Sequence, residues 1–188
     1  MRLGVLGGSF DPPHMAHLFA AVYTISTGKA DLVWLVPTYR HPFQKVLSDF
    51  EHRLTMCRLA VEPVSHLVQV MDIEKSLGST SYTVRTLEKI HQQRPKDTLV
   101  LIMGSDTLAD KEKWKDFQKI EELAELVVIG RRGFENSDTK SYNNDLVLPL
   151  VSSTEIRKRV QNGEPIDGLV PSTVKDYIYS HGLYLQGH

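Results

Sequence analysis

Short apolar runs alternate with amphipathic segments along most of the chain. Arg2–Leu6 is a strand-like run that stops at Gly7-Gly8. Met15–Thr27 carries a helical pattern closed by Gly28. Leu32–Val36 is a second run, ended by Pro37, and Phe50–Val61 is helical with Pro63 after it. Leu67–Met71 is a third strand candidate. Ser81–Gln93 places Val84, Leu87 and Ile90 at helical spacing, with Ser81 as a candidate cap. Thr98–Met103 is the clearest strand and ends at Gly104. A helix over Phe117–Leu123 and a strand over Leu126–Ile129 follow. Arg131–Leu146 is polar and unpatterned, which predicts a mobile surface loop. Ser153–Gln161 and Thr173–His181 read as closing helices, the second preceded by Pro171.

Strands that read as continuous apolar runs, each followed by a helix, predict an α/β fold. The expected architecture is a Rossmann-like, doubly wound parallel sheet with helices on both faces and a helical C-terminus. No repeat or linker divides the chain, so residues 1–188 are expected to form one domain. Ligands in such sheets bind beyond the carboxyl ends of the strands. Two of those ends carry unusual residues, GGSFDPPH after the first strand and GSD after the fourth.

Composition narrows the function by exclusion. The net charge of −1 argues against broad capture of nucleic acid or anionic membrane, and Arg131-Arg132 is an isolated basic pair. Any phosphate site must be local. No apolar run approaches membrane-spanning length, and the opening segment is strand-like, without signal-peptide character, so a cytoplasmic protein is expected. The single cysteine, Cys57, sits in a helical pattern and is expected to be a buried structural thiol.

The chemistry centres on GGSFDPPHMAHL, residues 7–18. Glycines allow close approach of the backbone to a ligand, and N–H groups at a helix start favour anions. His14 and His17 lie at i and i+3 where the helix begins, so one helical face presents both. The pair fits a phosphate site, two ligands of a metal site, or incidental residues. A metal site lacks a third ligand at a familiar spacing. Neither the G-x-G-x-x-G fingerprint nor the Walker loop occurs.

This stretch resembles the G-G-x-F-x-P-x-H-x-x-H signature of the nucleotidylyltransferase superfamily, and VSSTEIRKRV (151–160) resembles its I-S-S-T-x-x-R. The bacterial nicotinate-nucleotide adenylyltransferase branch is resembled by TSYTVRTLEKI, by IMGSDTLADKEKW and by the ending LVPSTVKDYIYSHGLY. The similarity runs from Met1 to Tyr184. It implies an adenylyltransferase that joins nicotinate mononucleotide to the AMP part of ATP, giving deamido-NAD and pyrophosphate. It also implies Mg2+ with the ATP, no dedicated protein ligands for the metal, and direct attack on the α-phosphate without a covalent intermediate.

The resemblance further implies roles. His14, His17 and Arg157 would be catalytic. ATP would meet Gly7, Gly8, Ser9 and Phe10 at the turn, Gly104 and Asp106 after the fourth strand, and Ser153, Thr154 and Arg157 at the late helix. Asp106 also suits a helix cap. The pyridine mononucleotide would meet Lys45, Thr83, Trp114 and Lys115. Two departures from the family pattern stand near that pyridine end. PTYRHPFQK (37–45) replaces a P-P-H-K loop, with Phe43 a candidate pocket residue, and Lys115 stands where an aromatic residue is frequent. An inward Lys115 favours nicotinate over nicotinamide. Other acceptors, such as nicotinamide mononucleotide or phosphopantetheine, remain alternatives, as does a nucleotide-binding sensor without turnover. The oligomeric state stays open, with a homodimer among the options.

Overall fold

A computed structural model of the chain describes residues 1–42, 45–78, 80–131, 147–148 and 151–185. Six parallel strands form one sheet in the order β3-β2-β1-β4-β5-β6. They are β1 (Arg2–Gly8), β2 (Leu32–Pro37), β3 (Val68–Val70), β4 (Thr98–Gly104), β5 (Ala124–Arg131) and the two-residue β6 (Val147–Leu148). The helices are α1 (Met15–Ser26), α2 (Phe50–Val61), α3 (Ile73–Leu77), α4 (Thr83–Gln93), α5 (Ser105–Ala109), α6 (Phe117–Leu123), α7 (Ser153–Gln161) and α8 (Ser172–Ser180). This is the doubly wound order that the alternation predicts, with the switch in strand direction of travel between β1 and β4.

Successive side chains on a strand face opposite layers, and the core divides accordingly. Leu6, Val33, Leu35, Val100 and Ile102 pack with α1 and α2 on one face. Leu3, Val5, Trp34, Val36, Leu99 and Leu101 pack with α4 and α6 on the other. Gly4 allows this closeness at the sheet centre. A Cβ there would lie 2.7 Å from Val33 Cγ2 and 3.1 Å from Ile102 Cδ1. A third cluster joins α2 to the C-terminal helices through Met56, Ala60, Ile156, Val160, Val174 and Ile178. It places α7 against the loop that follows β1.

The structure departs from the expected boundaries in instructive places. α4 begins at Thr83, and Ser81 does not cap it. The Ser81 hydroxyl instead accepts the backbone N–H groups of Tyr39 and Arg40, both at 3.1 Å. α3 and α5 are too short for a periodic signal. Cys57 is fully buried, and that burial raises its thiol pKa, as a structural thiol requires. Among the described residues no helix is long and apolar enough to cross a membrane. The loop expected over Arg131–Leu146 lies, beyond Arg131, outside the described residues, and so does Phe43.

Candidate active site

A cleft of about 660 Å³ opens at the carboxyl ends of β1 and β4. That volume suits a ligand of nucleotide size. Of the residues singled out from the sequence, Gly7, Gly8, Ser9, His17, Thr83, Gly104, Asp106, Trp114 and Lys115 line it. Phe10, His14, Lys45, Ser153, Thr154 and Arg157 do not line it.

Gly7 and Gly8 are the last residues of β1, so the turn falls two residues beyond them. It is carried by Phe10, at φ 48°, followed by a cis Asp11–Pro12 bond. A bulky residue in the left-handed region is strained and persists only where its surroundings hold it. Phe10 is 1% exposed; its ring lies 3.2 Å from where a Gly8 Cβ would be and packs edge-on against His17. It supports the turn from beneath and does not face the cleft.

His14 takes the N-cap position of α1 and His17 the third helical position. Their rings stack with centroids 3.6 Å apart, His14 buried and His17 on the cleft. The His14 N–H donates to His17 Nδ1 at 3.1 Å. A neutral His17 then carries its proton on Nε2, which makes that nitrogen a donor. The expected seat of helix N–H groups is narrower than the sequence suggests. Met15 N–H donates to the Leu169 carbonyl at 2.9 Å, and His17 N–H to the His14 carbonyl at 3.0 Å.

The late helix is tied to the same turn. Ser152 caps α7, its hydroxyl accepting Glu155 N–H. Ser153 Oγ donates to the Pro12 carbonyl at 2.9 Å, so this hydroxyl tethers α7 to the turn and has no hydrogen to spare for an anion. Arg157 donates from Nη1 to the Asp11 carbonyl at 2.7 Å and from Nη2 to Thr154 Oγ1 at 3.3 Å. Lys45 is exposed, yet surrounding protein lowers its pKa and the positive charge of Arg157 lowers it further. Two cations held this close suit a polyanion.

At the other end of the cleft, Thr83 is the first residue of α4, where a helix has N–H groups without helical carbonyls. Trp114 is half-buried, edge-on to Phe117, with part of its surface on the cleft. The Lys115 ammonium lies 4.9 Å from the centre of the Tyr82 ring. Asp106 falls inside α5, whose cap position is Gly104, so it is not the helix cap that the sequence also allowed.

Four further residues hold this arrangement together. Asp11 is buried, and its carboxylate accepts Tyr184 O–H at 2.7 Å and Ser48 N–H at 3.2 Å. Arg53 is 2% exposed. It donates to the carbonyls of Ser9, Thr38 and Ser48 at 2.8, 2.7 and 2.9 Å, joining the loop after β1 to both ends of the loop after β2. Glu74 is buried in the cleft wall. Arg53 was findable in principle: it stands on the stripe shared by Leu54, Met56, Cys57 and Ala60, where a charge demands a buried partner. Asp11 and Tyr184 lie inside the two end motifs. Nothing in the sequence flags Glu74.

The family model for cytidylyltransferase-like proteins matches residues 5–159. The chain belongs to this family, in its nicotinate-nucleotide adenylyltransferase branch. A protein of Anaeromyxobacter dehalogenans named "Probable nicotinate-nucleotide adenylyltransferase" is 42% identical over 186 residues, 97% of this chain and 96% of its own length. One of the same name from Thermus thermophilus is 37% identical over 186 residues, 98% of this chain and 100% of its own. The fold matches Plasmodium falciparum nicotinic acid mononucleotide adenylyltransferase, solved with NaAD, at a TM-score of 0.81 and 23% identity over 97% of both chains. Within the one cleft, Gly7, Gly8 and His17 line one part of the wall and Thr83 and Trp114 another.

Proposed function

We propose that the chain transfers AMP from ATP to nicotinate mononucleotide, giving the deamido dinucleotide and pyrophosphate. The observation that carries this reading is the single cleft that runs from His17 to Thr83 and Trp114. One end suits phosphates and the other an aromatic acid.

The mononucleotide phosphate is already a nucleophile. One of its oxygens attacks the α-phosphorus of ATP, the α–β bridging bond breaks, and its electron pair leaves with pyrophosphate. Catalysis is then mostly alignment and neutralisation of charge. Nε2–H of His17, stacked on His14, donates to an α-phosphate oxygen as charge builds there. Gly7, Gly8 and Ser9 let the two phosphates approach. Arg157 holds the leaving pyrophosphate, together with Lys45, which the charge of Arg157 places with the phosphates and not with the pyridine mononucleotide that the resemblance implied for it. Gly104 and Asp106 meet the nucleotide ribose. ATP enters as its magnesium complex, so the ion is part of that substrate and spreads the charge of the triphosphate.

Trp114 stacks on the pyridine, the first N–H groups of α4 at Thr83 meet its substituent, and the nearby Lys115 adds a positive charge. A carboxylate only accepts hydrogen bonds, whereas a carboxamide needs an acceptor as well. This supports the acid as substrate. The test is pyrophosphate release from ATP and magnesium with nicotinate and nicotinamide mononucleotides in parallel. Selective turnover of the acid is expected. Equal or better use of the amide overturns the acid preference. No turnover of either mononucleotide overturns the reaction itself.

A further inference from the structure

Glu74, in α3, is 6% exposed and lines the pyridine half of the cleft, yet most of its acceptor capacity is committed to protein. Oε2 accepts Tyr39 N–H at 3.0 Å, and Oε1 accepts the Thr86 hydroxyl at 3.0 Å. Ser81 adds a third bond to this carboxylate. The Ser81 hydroxyl already accepts two N–H groups, from Tyr39 and Arg40, so its one hydrogen goes to Glu74. Ser81 N–H in turn donates to the Arg40 carbonyl at 2.9 Å.

This ring of bonds ties the loop after β2 to the turn that opens α4. Thr83 stands two residues beyond Ser81. The Lys115 ammonium lies over Tyr82, between them. The wall therefore offers the ligand N–H groups and a positive charge, while three of the roughly four acceptor positions of its buried carboxylate are already taken by protein. Burial alone would favour protonation of Glu74 and raises its pKa; the three donors and the charge of Arg53 oppose that.

Resting on the adenylyltransferase reading above, we propose that Glu74 is a positioning residue for substrate choice. It fixes the start of α4 so that the site accepts a pyridine acid and refuses the amide. Glu74→Gln keeps the shape but replaces one acceptor oxygen by an N–H2 donor. Tyr39 N–H, Ser81 O–H and the Thr86 hydroxyl can then no longer all be accepted, and the ring opens.

The experiment is steady-state kinetics of the full chain with both mononucleotides, each at saturating ATP, and with ATP varied separately. For Glu74→Gln, KM for nicotinate mononucleotide should rise about tenfold and the acid-to-amide ratio of kcat/KM should fall about tenfold or more. KM for ATP should stay within about twofold of the parent. Thr86→Val, which removes one donor without changing shape, should move the ratio the same way, and Thr86→Ser should restore it. This pair keeps the test open if Glu74→Gln fails to fold. A parent that turns over the acid while Thr86→Val keeps its ratio overturns the role of Glu74 alone. A rise in KM for ATP equal to that for the acid does the same, because it marks general loosening. A parent that turns over neither mononucleotide overturns the adenylyltransferase reading and this inference with it.

Discussion

The backbone N–H of His14 donates to Nδ1 of His17 at 3.1 Å, while the two rings stack 3.6 Å apart. One main-chain bond thus selects the tautomer that turns Nε2 of His17 into a donor at the cleft. Removing a single donor to a developing oxyanion costs about 3 kcal/mol, or about 10²–10³ in rate. His17→Ala should lower kcat by about that factor while moving KM for ATP far less, because the bond is made most strongly in the transition state. His17 is only half-buried, so Tm should fall little. Steady-state pyrophosphate release and thermal melting check both. A loss confined to KM would mean that His17 only binds ATP.

Lys45 gives the site a pH signature. Its pKa lies below the ordinary lysine value of 10.5, first because surrounding protein disfavours the ammonium and second because Arg157 repels it. As pH rises through that lowered pKa the charge is lost while free lysine would still hold it. KM for ATP should therefore begin to rise below pH 10.5. Lys45→Arg keeps its charge at any such pH, so its KM should stay flat where that of the parent climbs. Profiles of kcat/KM for ATP against pH compare the two. Matching profiles would show that another group titrates.

The doubly wound sheet was legible because its strands are buried on both faces. Leu99–Gly104 and Leu32–Pro37 are apolar throughout, and no other element fits such runs between amphipathic helices. The glycine turn, the histidine pair and the cleft-lining Thr83 and Trp114 were legible through short motifs that keep their residues together. What stayed hidden depends on contacts across long stretches of chain. Ser81 looks like a cap because serine caps helices, but the polar groups of Tyr39, Arg40 and Glu74 compete for its hydroxyl and win. Phe10 reads as a contact residue within a binding signature, yet it is buried under the turn and supports it. Glu74 sits in a five-residue helix, with no period to mark its buried side.

Arg53 shows the energetic side of such contacts. Its guanidinium is buried and satisfies the carbonyls of Ser9, Thr38 and Ser48 together. Arg53→Met fills much of the volume but leaves those carbonyls without their donor and takes one positive charge away from Asp11. Breaking a buried charged network from one side costs about 3–5 kcal/mol. Urea unfolding should show a loss of that order. Because Ser9 lines the cleft, kcat/KM should fall even where the variant is fully folded. A loss under about 1 kcal/mol would mean that water replaces the guanidinium without penalty.

Asp11 couples the end of the chain to the arginine of the late helix. Its carboxylate accepts the Tyr184 hydroxyl at 2.7 Å, and its carbonyl accepts Arg157 at 2.7 Å. Tyr184 is buried, and burial together with the Asp11 charge pushes its phenol pKa up, so it remains a neutral donor. Tyr184→Phe removes this donor from a buried carboxylate and should cost about 1–3 kcal/mol of stability. It should also loosen the Asp11 backbone against which Arg157 is held. Arg157→Lys keeps the charge but loses the two-armed grip on Asp11 and Thr154, and should raise KM for ATP by about tenfold. If Asp11 links the two, their effects on kcat/KM for ATP will not add. Once Arg157 no longer holds the Asp11 carbonyl, Tyr184→Phe should weaken ATP use much less than in the parent. A double-mutant cycle measures this directly, with a coupling of about 0.5–2 kcal/mol expected for residues in one network. Additive effects would show that Tyr184 stabilises the fold without reaching the phosphate site.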